Sequence, residues 1–303
     1  MIVALSSCNK DDDGGGATVQ LRDPEEVKIE NQVELESFLE THFFEFVENP
    51  DNPNFQKFVF DTIAGDNSEK PPIMNSSLLT TKPVTQNNIE YTLYILKQRE
   101  GSLDVRQPTF ADSVFVTYRG ITITNETFDT SPNPIWFDLP RTVRGFYELL
   151  PELRGSSGFV ENSDGTLTFN DDFGIGVVFM PSGLGYFASP PSGTGIKAYQ
   201  PIIFSVQLYK SKLADHDRDG VPSYLEDLNN NGRVDDIRNG DDIGDEVNGS
   251  GVPNVVDPDD DGDGVLTRDE IIINEDGSLE FPDSNGNGTP DYLDDTYPED
   301  GNA

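Results

Sequence analysis

The run Val114-Phe-Val-Thr-Tyr118-Arg-Gly120 opens the part of the chain that decides the fold. Five further runs and one isolated residue follow it in order: Thr127-Phe128-Asp129-Thr130, Trp136-Phe137-Asp138-Leu139, Val143-Arg144-Gly145-Phe146, Met180-Pro-Ser-Gly-Leu-Gly-Tyr186, then Ile196 and Ile202-Ile-Phe204-Ser-Val-Gln-Leu208. The aromatic residues fall where a single apolar pocket needs them, and neither a histidine nor a cysteine lies among them. A pocket of this kind acts on a ligand by shape and dehydration rather than by covalent chemistry.

Any one Phe in an alternating strand is more often ordinary sheet core, so the order of the pieces matters more than any single residue. In this order they resemble the FK506-binding-protein (FKBP) family of peptidyl-prolyl isomerases over residues 88–212. The pieces that carry the resemblance are Val-x-Tyr118-x-Gly120, Phe128-Asp129-Thr130-Ser131, Phe137-x-Leu139, Val143-Arg144-Gly145-Phe146, Gly185-Tyr186 and the strand Ile202–Leu208.

The resemblance implies an α+β domain whose antiparallel sheet wraps one short helix, at about residues 145–153. It also implies a proline-binding pocket with Phe146 as the floor. The implied walls are Tyr118, Phe128, Phe137, Ile196 and Phe204. Asp129 and Tyr186 would form the polar rim, and the backbone amide of Val143 would take the carbonyl oxygen of the bound proline.

The chain departs from the family pattern at the edge of this pocket. The segment between Leu139 and Arg144 is about two residues short, and Pro140 stands where glycine is usual. Ile135 replaces a residue that is often aromatic. These changes reshape the rim, and they favour an alternative in which the pocket docks a proline-containing loop without turning it over.

Composition excludes several other classes of enzyme. The chain has two histidines and one cysteine, so it lacks the ligands for a His/Cys zinc site and the partner for a disulfide. His42 stands in a helical pattern and His216 in an aspartate-rich loop, where structural roles are expected. A Ser-His-Asp hydrolase is not favoured by these positions.

The first residues predict the compartment. Leu5-Ser6-Ser7-Cys8 resembles a bacterial lipobox, and Lys10-Asp-Asp-Asp13 followed by glycines resembles the export signal of Bacteroidetes surface lipoproteins. We therefore expect a lipid on Cys8, residues 1–8 as a signal remnant and residues 9–20 as a flexible tether. The protein would be an outer-membrane lipoprotein exposed at the cell surface.

Residues 21–87 have a different sequence pattern. Asp23-Pro24-Glu25-Glu26 is a helix-start signal, and apolar residues recur at helical spacing from Pro24 to Val47. Residues 55–63 fit a helix or a strand, and residues 66–84 read as a loop. We predict a helical appendage packed on the domain; an arm for dimerisation or client holding is the alternative. The first strand of the domain is expected at Ile89–Lys97.

Residues 213–303 contain 27 acidic residues against four arginines and no lysine. Such a run is usually a solvated tail, but four copies of an Asp/Asn-x-Asp/Asn-x-Asp/Asn-Gly pattern predict calcium loops. The expected ligands are, in loop 1, Asp215, Asp217, Asp219, Val221 and Glu226; in loop 2, Asp227, Asn229, Asn231 and Asp235; in loop 3, Asp259, Asp261, Asp263, Val265 and Glu270; in loop 4, Asp283, Asn285, Asn287, Asp291 and Asp294. The loops resemble EF-hand loops and, more closely, thrombospondin type 3 repeats.

Together these features predict a peptidyl-prolyl isomerase acting on proline-containing polypeptides from a lipid anchor in the outer membrane, with structural calcium and no catalytic cofactor. The acidic balance argues against nucleic acid as a partner. Two alternatives stay open: a docking subunit of an outer-membrane transport or secretion complex, and a spacer stiffened by calcium. Because every expected ligand lies beyond residue 212, we also expect the pocket to function independently of the tail.

Overall fold

The computed structural model describes residues 21–49, 52, 55–234 and 244–297. Its helices and strands in chain order are α1 (Pro24–Thr41), β1 (His42–Val47), β2 (Lys57–Thr62), β3 (Leu79–Gln86), β4 (Ile89–Arg99), β5 (Ser113–Thr122), β6 (Thr127–Asp138), α2 (Arg144–Leu149), β7 (Phe159–Glu161), β8 (Leu167–Phe169), β9 (Gly174–Met180), β10 (Ile202–Lys212), α3 (Thr267–Glu270), β11 (Ile272–Ile273) and β12 (Leu279–Glu280). Within these residues, no helix is both long and apolar enough to cross a membrane.

A six-stranded sheet in the order β3-β4-β9-β10-β5-β6 forms the centre of the molecule, and every neighbouring pair is antiparallel. Helix α2 packs on one face of it and continues as a 3-10 turn over Leu150–Glu152. The predicted α+β class, with an antiparallel sheet and a short helix, is confirmed.

Side chains point alternately to the two faces of the sheet along each strand. Both faces are buried. On β10, Ile202, Phe204 and Val206 join the core under α2, whereas Ile203 and Tyr209 join a second core on the opposite face. Helix α1 and the β1–β2 hairpin cover that second face, with Leu35, Phe38, Leu39, Phe58 and Phe60 buried against the sheet. The N-terminal segment therefore packs on the domain as a second layer.

The prediction of a helix up to Val47 is wrong at its C-terminal end. Helix α1 begins as expected, with the Asp23 side chain accepting a hydrogen bond from the amide of Glu25, but it ends at Thr41. His42–Val47 instead pairs with Lys57–Thr62 as a hairpin. As a strand, this segment buries Phe43 and packs Phe44 and Phe46 partly against the second core, and aromatic residues favour such a pleated, half-buried surface.

The prediction of a loop over residues 66–84 is also wrong at its C-terminal end. Residues 79–86, expected to be part of a loop, form β3 at the edge of the central sheet and pair with β4 over their whole length. Pro83 is compatible with this position because an edge strand has one side free of ladder hydrogen bonds. The sheet therefore starts before Ile89.

The acidic tail is built from loops, short 3-10 turns and the small strands β11 and β12. The sequence suggested a tail separate from the sheet domain, but the structure shows contacts between the two. Val234 and Val255 pack against Phe110 and Ala111, and the amide of Ala214 donates to Asp112. The tail thus lies against the domain on the side that carries the start of α2.

Candidate functional site

Strands β5, β6 and β10 and helix α2 bring four aromatic rings into one cluster. The Phe146 ring lies 5.6 Å from that of Phe137, 5.3 Å from Phe204 and 6.2 Å from Tyr118, with the ring planes close to perpendicular. Edge-to-face packing of this kind is favoured by the ring quadrupoles. Phe146 is 3% exposed and lies at the bottom of the cluster.

Gly120 allows two of these rings to approach the sheet. A Cβ atom at this position would lie 2.5 Å from the Phe128 ring and 2.7 Å from the Phe204 ring. The two rings meet edge to face, with centroids 5.3 Å apart. The glycine of the Val-x-Tyr-x-Gly motif is therefore needed for packing rather than for an unusual backbone angle.

The cluster opens into a cavity of about 390 Å³. Its lining residues are Tyr118, Asp129, Trp136, Phe137, Asp138, Arg141, Thr142, Val143, Phe146, Tyr186 and Phe204. Seven of these were predicted, whereas Trp136, Asp138, Arg141 and Thr142 were missed. Arg141 and Thr142 lie in the short, atypical segment at the rim, and Trp136 and Asp138 lie at the end of β6 just before it. Phe128 and Ile196 were predicted as walls but support the cavity from behind, as members of the core under α2.

A partly buried hydrogen bond organises the polar side of the cavity. The Tyr118 hydroxyl donates to Oδ2 of Asp129 at 2.7 Å. Burial raises the pKa of Tyr118, and the hydrogen bond to Asp129 raises it further. Burial, with the nearby Asp129 charge, also raises the pKa of Tyr186. Both phenols are therefore neutral near pH 7, and the cavity has one fixed carboxylate at this edge.

Val143 occupies the position just before α2, in an extended conformation, with its carbonyl accepting the amide hydrogen of Phe146 at 2.9 Å. Its own amide makes no hydrogen bond to the described part of the chain. It lies at the lining of the cavity. This amide could donate a hydrogen bond to the carbonyl oxygen of a ligand, which is the role that the resemblance implies for it.

The loop that carries Tyr186 and Ile196 is fastened by the N-terminal helix. Oδ1 of Asn31 accepts hydrogen bonds from the amide and the hydroxyl of Ser182, at 2.8 and 2.6 Å, and its Nδ2 donates to the carbonyl of Tyr199 at 2.9 Å. Asn31 is 2% exposed, so these bonds are shielded from water. Sequence reasoning missed this residue because its partners are about 150 positions away.

The rim also touches the acidic tail. Nε2 of His216 lies 3.0 Å from Oδ1 of Asp138, whose other oxygen pairs with Arg141. The guanidinium of Arg144, the first residue of α2, donates to the carbonyls of Asn231 and Gly232. A histidine therefore does stand at the rim, in a structural link rather than in the cavity itself.

Loops 1 and 3 share one backbone arrangement. The glycines at the sixth position, Gly220 and Gly264, have φ of 103° and 98°. In each loop the first carboxylate accepts hydrogen bonds from two backbone amides of its own turn. In loop 1 the third, fifth and twelfth side chains, Asp217, Asp219 and Glu226, come together, whereas in loop 3 the first, third and fifth do. Val221 and Val265 follow the glycines as expected.

Several carboxylates in these loops are buried without partners. Within the described residues, neither oxygen of Glu226 or Glu270 accepts a hydrogen bond, and one oxygen of Asp217, Asp219 and Asp261 is likewise unpaired. Burial, reinforced by neighbouring carboxylates, raises the pKa of Asp217 to about 7, of Glu270 to about 8 and of Glu226 to about 10. These oxygens suit a hard divalent cation, which would supply the missing positive charge.

Loops 2 and 4 differ from this arrangement. In loop 4, Nδ2 of Asn285 and of Asn287 donate to Asp294, and Asp291 accepts two hydrogen bonds from Ser284. In loop 2, Asp227 and Asn229 accept backbone amides, and the expected ligand Asp235 lies outside the described residues. Cys8 and the tether also lie outside the described residues.

Comparison with known families matches residues 216–282 to the model for the BamM C-terminal domain. This region spans most of loop 1 and all of loop 3, so it is a match to the acidic tail rather than to the aromatic cavity. No curated protein matches the chain.

Solved structures similar to the chain are FKBP-type isomerases. A peptidyl-prolyl cis-trans isomerase from Pseudomonas syringae pv. tomato str. DC3000 is 13% identical, with 64% of this chain and 98% of that chain covered and a TM-score of 0.38. FkpA from Escherichia coli is 20% identical, with 46% and 53% covered and a TM-score of 0.34. The N-terminal domain of FKBP42 from Arabidopsis thaliana is 12% identical, with 44% and 94% covered and a TM-score of 0.32. Because these identities and TM-scores are low, the function of the cavity rests on the residues that line it.

Proposed function

We propose that the chain is a peptidyl-prolyl cis-trans isomerase that binds proline-containing polypeptides in the cavity under α2. The proposal rests on three features that lie together in this cavity. These are a floor and walls of aromatic rings, one partly buried Tyr118–Asp129 hydrogen bond, and the backbone amide of Val143, which has no partner within the described residues. The apolar rings suit a proline ring, and the amide suits its carbonyl oxygen.

The reaction needs no proton transfer. Rotation about an X-Pro bond faces a barrier of about 18–20 kcal/mol because the amide loses resonance as it twists. A dry pocket that holds the proline ring and excludes water from the amide favours the twisted state over the planar one. Each tenfold acceleration requires about 1.4 kcal/mol of such differential stabilisation. Tyr118 and Tyr186, both neutral near pH 7, are consistent with catalysis by shape.

We further propose that the protein is held at the outer membrane, with a lipid on Cys8 and the Lys10–Asp13 run directing it outward. The match of residues 216–282 to the BamM C-terminal model supports an association with an outer-membrane assembly complex. Cell fractionation tests the anchor. Replacing Cys8 by Ala should release the protein from membranes, and an unchanged membrane fraction would exclude the lipid on this residue.

The acidic tail is proposed to bind calcium through loops 1 and 3. The unpaired oxygens of Glu226 and Glu270 support this, because a buried carboxylate without a partner is costly. Extracellular calcium is abundant enough to fill weak sites, which agrees with a surface location.

A docking subunit is the second candidate, favoured by the reshaped rim and by its contact with the tail through Asp138. Trp136, the single tryptophan of the chain, borders the cavity and is 51% exposed, so its fluorescence reports binding. A proline tetrapeptide with an apolar residue before proline should shift this emission and relax to isomeric equilibrium faster than in buffer. A shift in emission without acceleration would support docking alone. The absence of both effects would exclude both functions.

A further inference from the structure

Four carboxylates, three of them buried and that of Asp217 half-buried, meet at a point between loop 1 and loop 3. One oxygen from each of Asp217, Asp219, Glu226 and Asp260 lies within 4.8 Å of the others. Asp219, Glu226 and Asp260 are only 1–2% exposed. The first three belong to loop 1, whereas Asp260 is contributed by loop 3.

The four side chains have no compensating charge in the described part of the chain. Both oxygens of Glu226 and both of Asp260 accept no hydrogen bond, and Oδ2 of Asp217 and of Asp219 are equally unpaired. An isolated buried carboxylate costs several kcal/mol, so it is expected to bind a proton or a cation. Four such groups around one point select a cation.

The position of Asp260 within loop 3 explains why it faces loop 1. It is the second residue of loop 3, between Asp259 and Asp261, and the second position of such a loop does not contribute a ligand to its own ion. Its backbone amide donates to Oγ1 of Thr267 at 3.1 Å, which fixes the main chain at this point. Asp259, Asp261 and Asp263 form a separate cluster of their own.

We propose that Asp217, Asp219, Glu226 and Asp260 bind one divalent cation that is shared by loop 1 and loop 3. The inference deepens the proposed calcium function of the tail and rests on it. The four carboxylates offer six oxygens that have no hydrogen-bond partner within the described residues. Six oxygens fit calcium better than magnesium, because magnesium keeps several of its waters.

A shared cation would act as a cross-link across residues 227–259. It closes this segment at both ends without a disulfide, and it fixes the loop that carries His216, whose ring reaches Asp138 at the cavity rim. The first loop would then need the third loop for full affinity. Isolated loops with the same ligand pattern do not have this dependence.

The test uses calcium titration of the full chain by calorimetry in metal-depleted buffer. Asp260→Asn should weaken one site at least tenfold and leave the others unchanged. Asp269→Asn, an exposed aspartate of the same loop, is the matched control and should bind as the wild type does. Asp261→Asn should weaken a different site, which is the one formed by loop 3 itself.

Thermal unfolding supplies a second readout that a merely structural role would not give. In chelator, Asp260→Asn should be at least as stable as the wild type, because it removes one repelling charge from the cluster. In saturating calcium it should be less stable. This reversal of sign supports a cation ligand, whereas a loss of stability under both conditions would contradict it.

The outcomes separate this inference from the proposed functions. If Asp260→Asn binds calcium as Asp269→Asn does, the shared site is wrong while calcium binding by the tail stands. If the wild type binds no calcium, both the shared site and calcium binding by the tail are wrong. The isomerase proposal is measured separately on a proline peptide and does not depend on either result.

Discussion

The aromatic cavity and the acidic tail differ in whether their buried polar groups have hydrogen-bond partners. In the cavity, Phe146 packs edge to face on its neighbours, and the one buried hydroxyl, that of Tyr118, has its acceptor in Asp129. In the tail, Glu226 and Glu270 are buried with no partner for either oxygen. The chain therefore completes the cavity by itself but leaves the tail in need of positive charge from solution.

The same contrast recurs inside the tail. Loop 4 has asparagine at its third and fifth positions, and both amides donate to Asp294. Loop 3 has aspartate at these positions, and its Glu270 is unpaired. A loop whose carboxylate is already paired by its own amides gains less from a cation. We expect loops 1 and 3 to bind calcium more tightly than loop 4.

Chelation should give the largest difference between the two regions. Removing the cation leaves several buried carboxylates uncompensated, which destabilises a site by about 3–5 kcal/mol. Limited proteolysis should therefore cut residues 213–297 rapidly in chelator and slowly in calcium. Turnover on a proline peptide should change less than about fivefold, or about 1 kcal/mol, because the links through His216 and Arg144 are partly exposed.

Loss of activity and compactness together on chelation would contradict this separation. It would make the tail an integral brace of the cavity. The contact between His216 and Asp138 shows where such a brace would act.

Asn31→Ala should have the next largest effect. It leaves the amide and hydroxyl of Ser182 and the carbonyl of Tyr199 without their buried partner, and an unsatisfied buried polar group costs about 1–3 kcal/mol. Chemical denaturation should show this loss, together with a lower affinity for peptide. Glu40→Ala, at an exposed position of the same helix, should change neither quantity. Equal behaviour of the two variants would mean that α1 does not position the loop.

Tyr118→Phe should have a smaller effect. It keeps the ring in the cluster and removes the hydrogen bond to Asp129, for a loss of about 1 kcal/mol because the acceptor is partly exposed. The expected change is a few-fold lower turnover with unchanged ring packing. Tyr224→Phe, at an exposed tyrosine of the tail, is the control. A complete loss of activity in Tyr118→Phe would indicate chemistry at the hydroxyl.

The smallest effect is expected from pH. The pKa of Tyr118 and of Tyr186 is raised, so stability from the neutral phenols is fully present below the ordinary tyrosine value and is lost only at more alkaline pH. Turnover should therefore be nearly flat from about pH 6 to 8. A bell-shaped profile that disappears in His216→Gln would show that the histidine at the rim takes part.

The pattern of the sequence predicts the cavity well because its residues lie on adjacent strands with regular alternation. Tyr118, Phe137 and Phe204 project from neighbouring strands to the same face, so a resemblance in order translates into contact in space. Gly120 is explained by the same packing. The loop glycines are equally predictable, since Gly220 and Gly264 need positive φ.

Contacts that depend on distant pairing could not be predicted. His42–Val47 is a strand only because residues 57–62 pair with it, and residues 79–86 join the sheet despite Pro83. Asn31 and Asp260 are further examples, since each acts on a part of the chain that local spacing does not identify. Local patterns specify loops and strands, whereas the partners of a buried polar group are decided by tertiary packing.

The central claim is that the cavity under α2 accelerates X-Pro isomerisation, and a matched pair of variants tests it most directly. Phe146→Ala and Phe60→Ala each remove a ring that is 3–4% exposed, from opposite faces of the sheet, at a cost of about 3–5 kcal/mol. At a temperature where both are folded, the wild type and Phe60→Ala should accelerate relaxation of a proline tetrapeptide, and Phe146→Ala should not. A wild-type rate equal to buffer at micromolar protein, or equal activity in the two variants, would contradict the account.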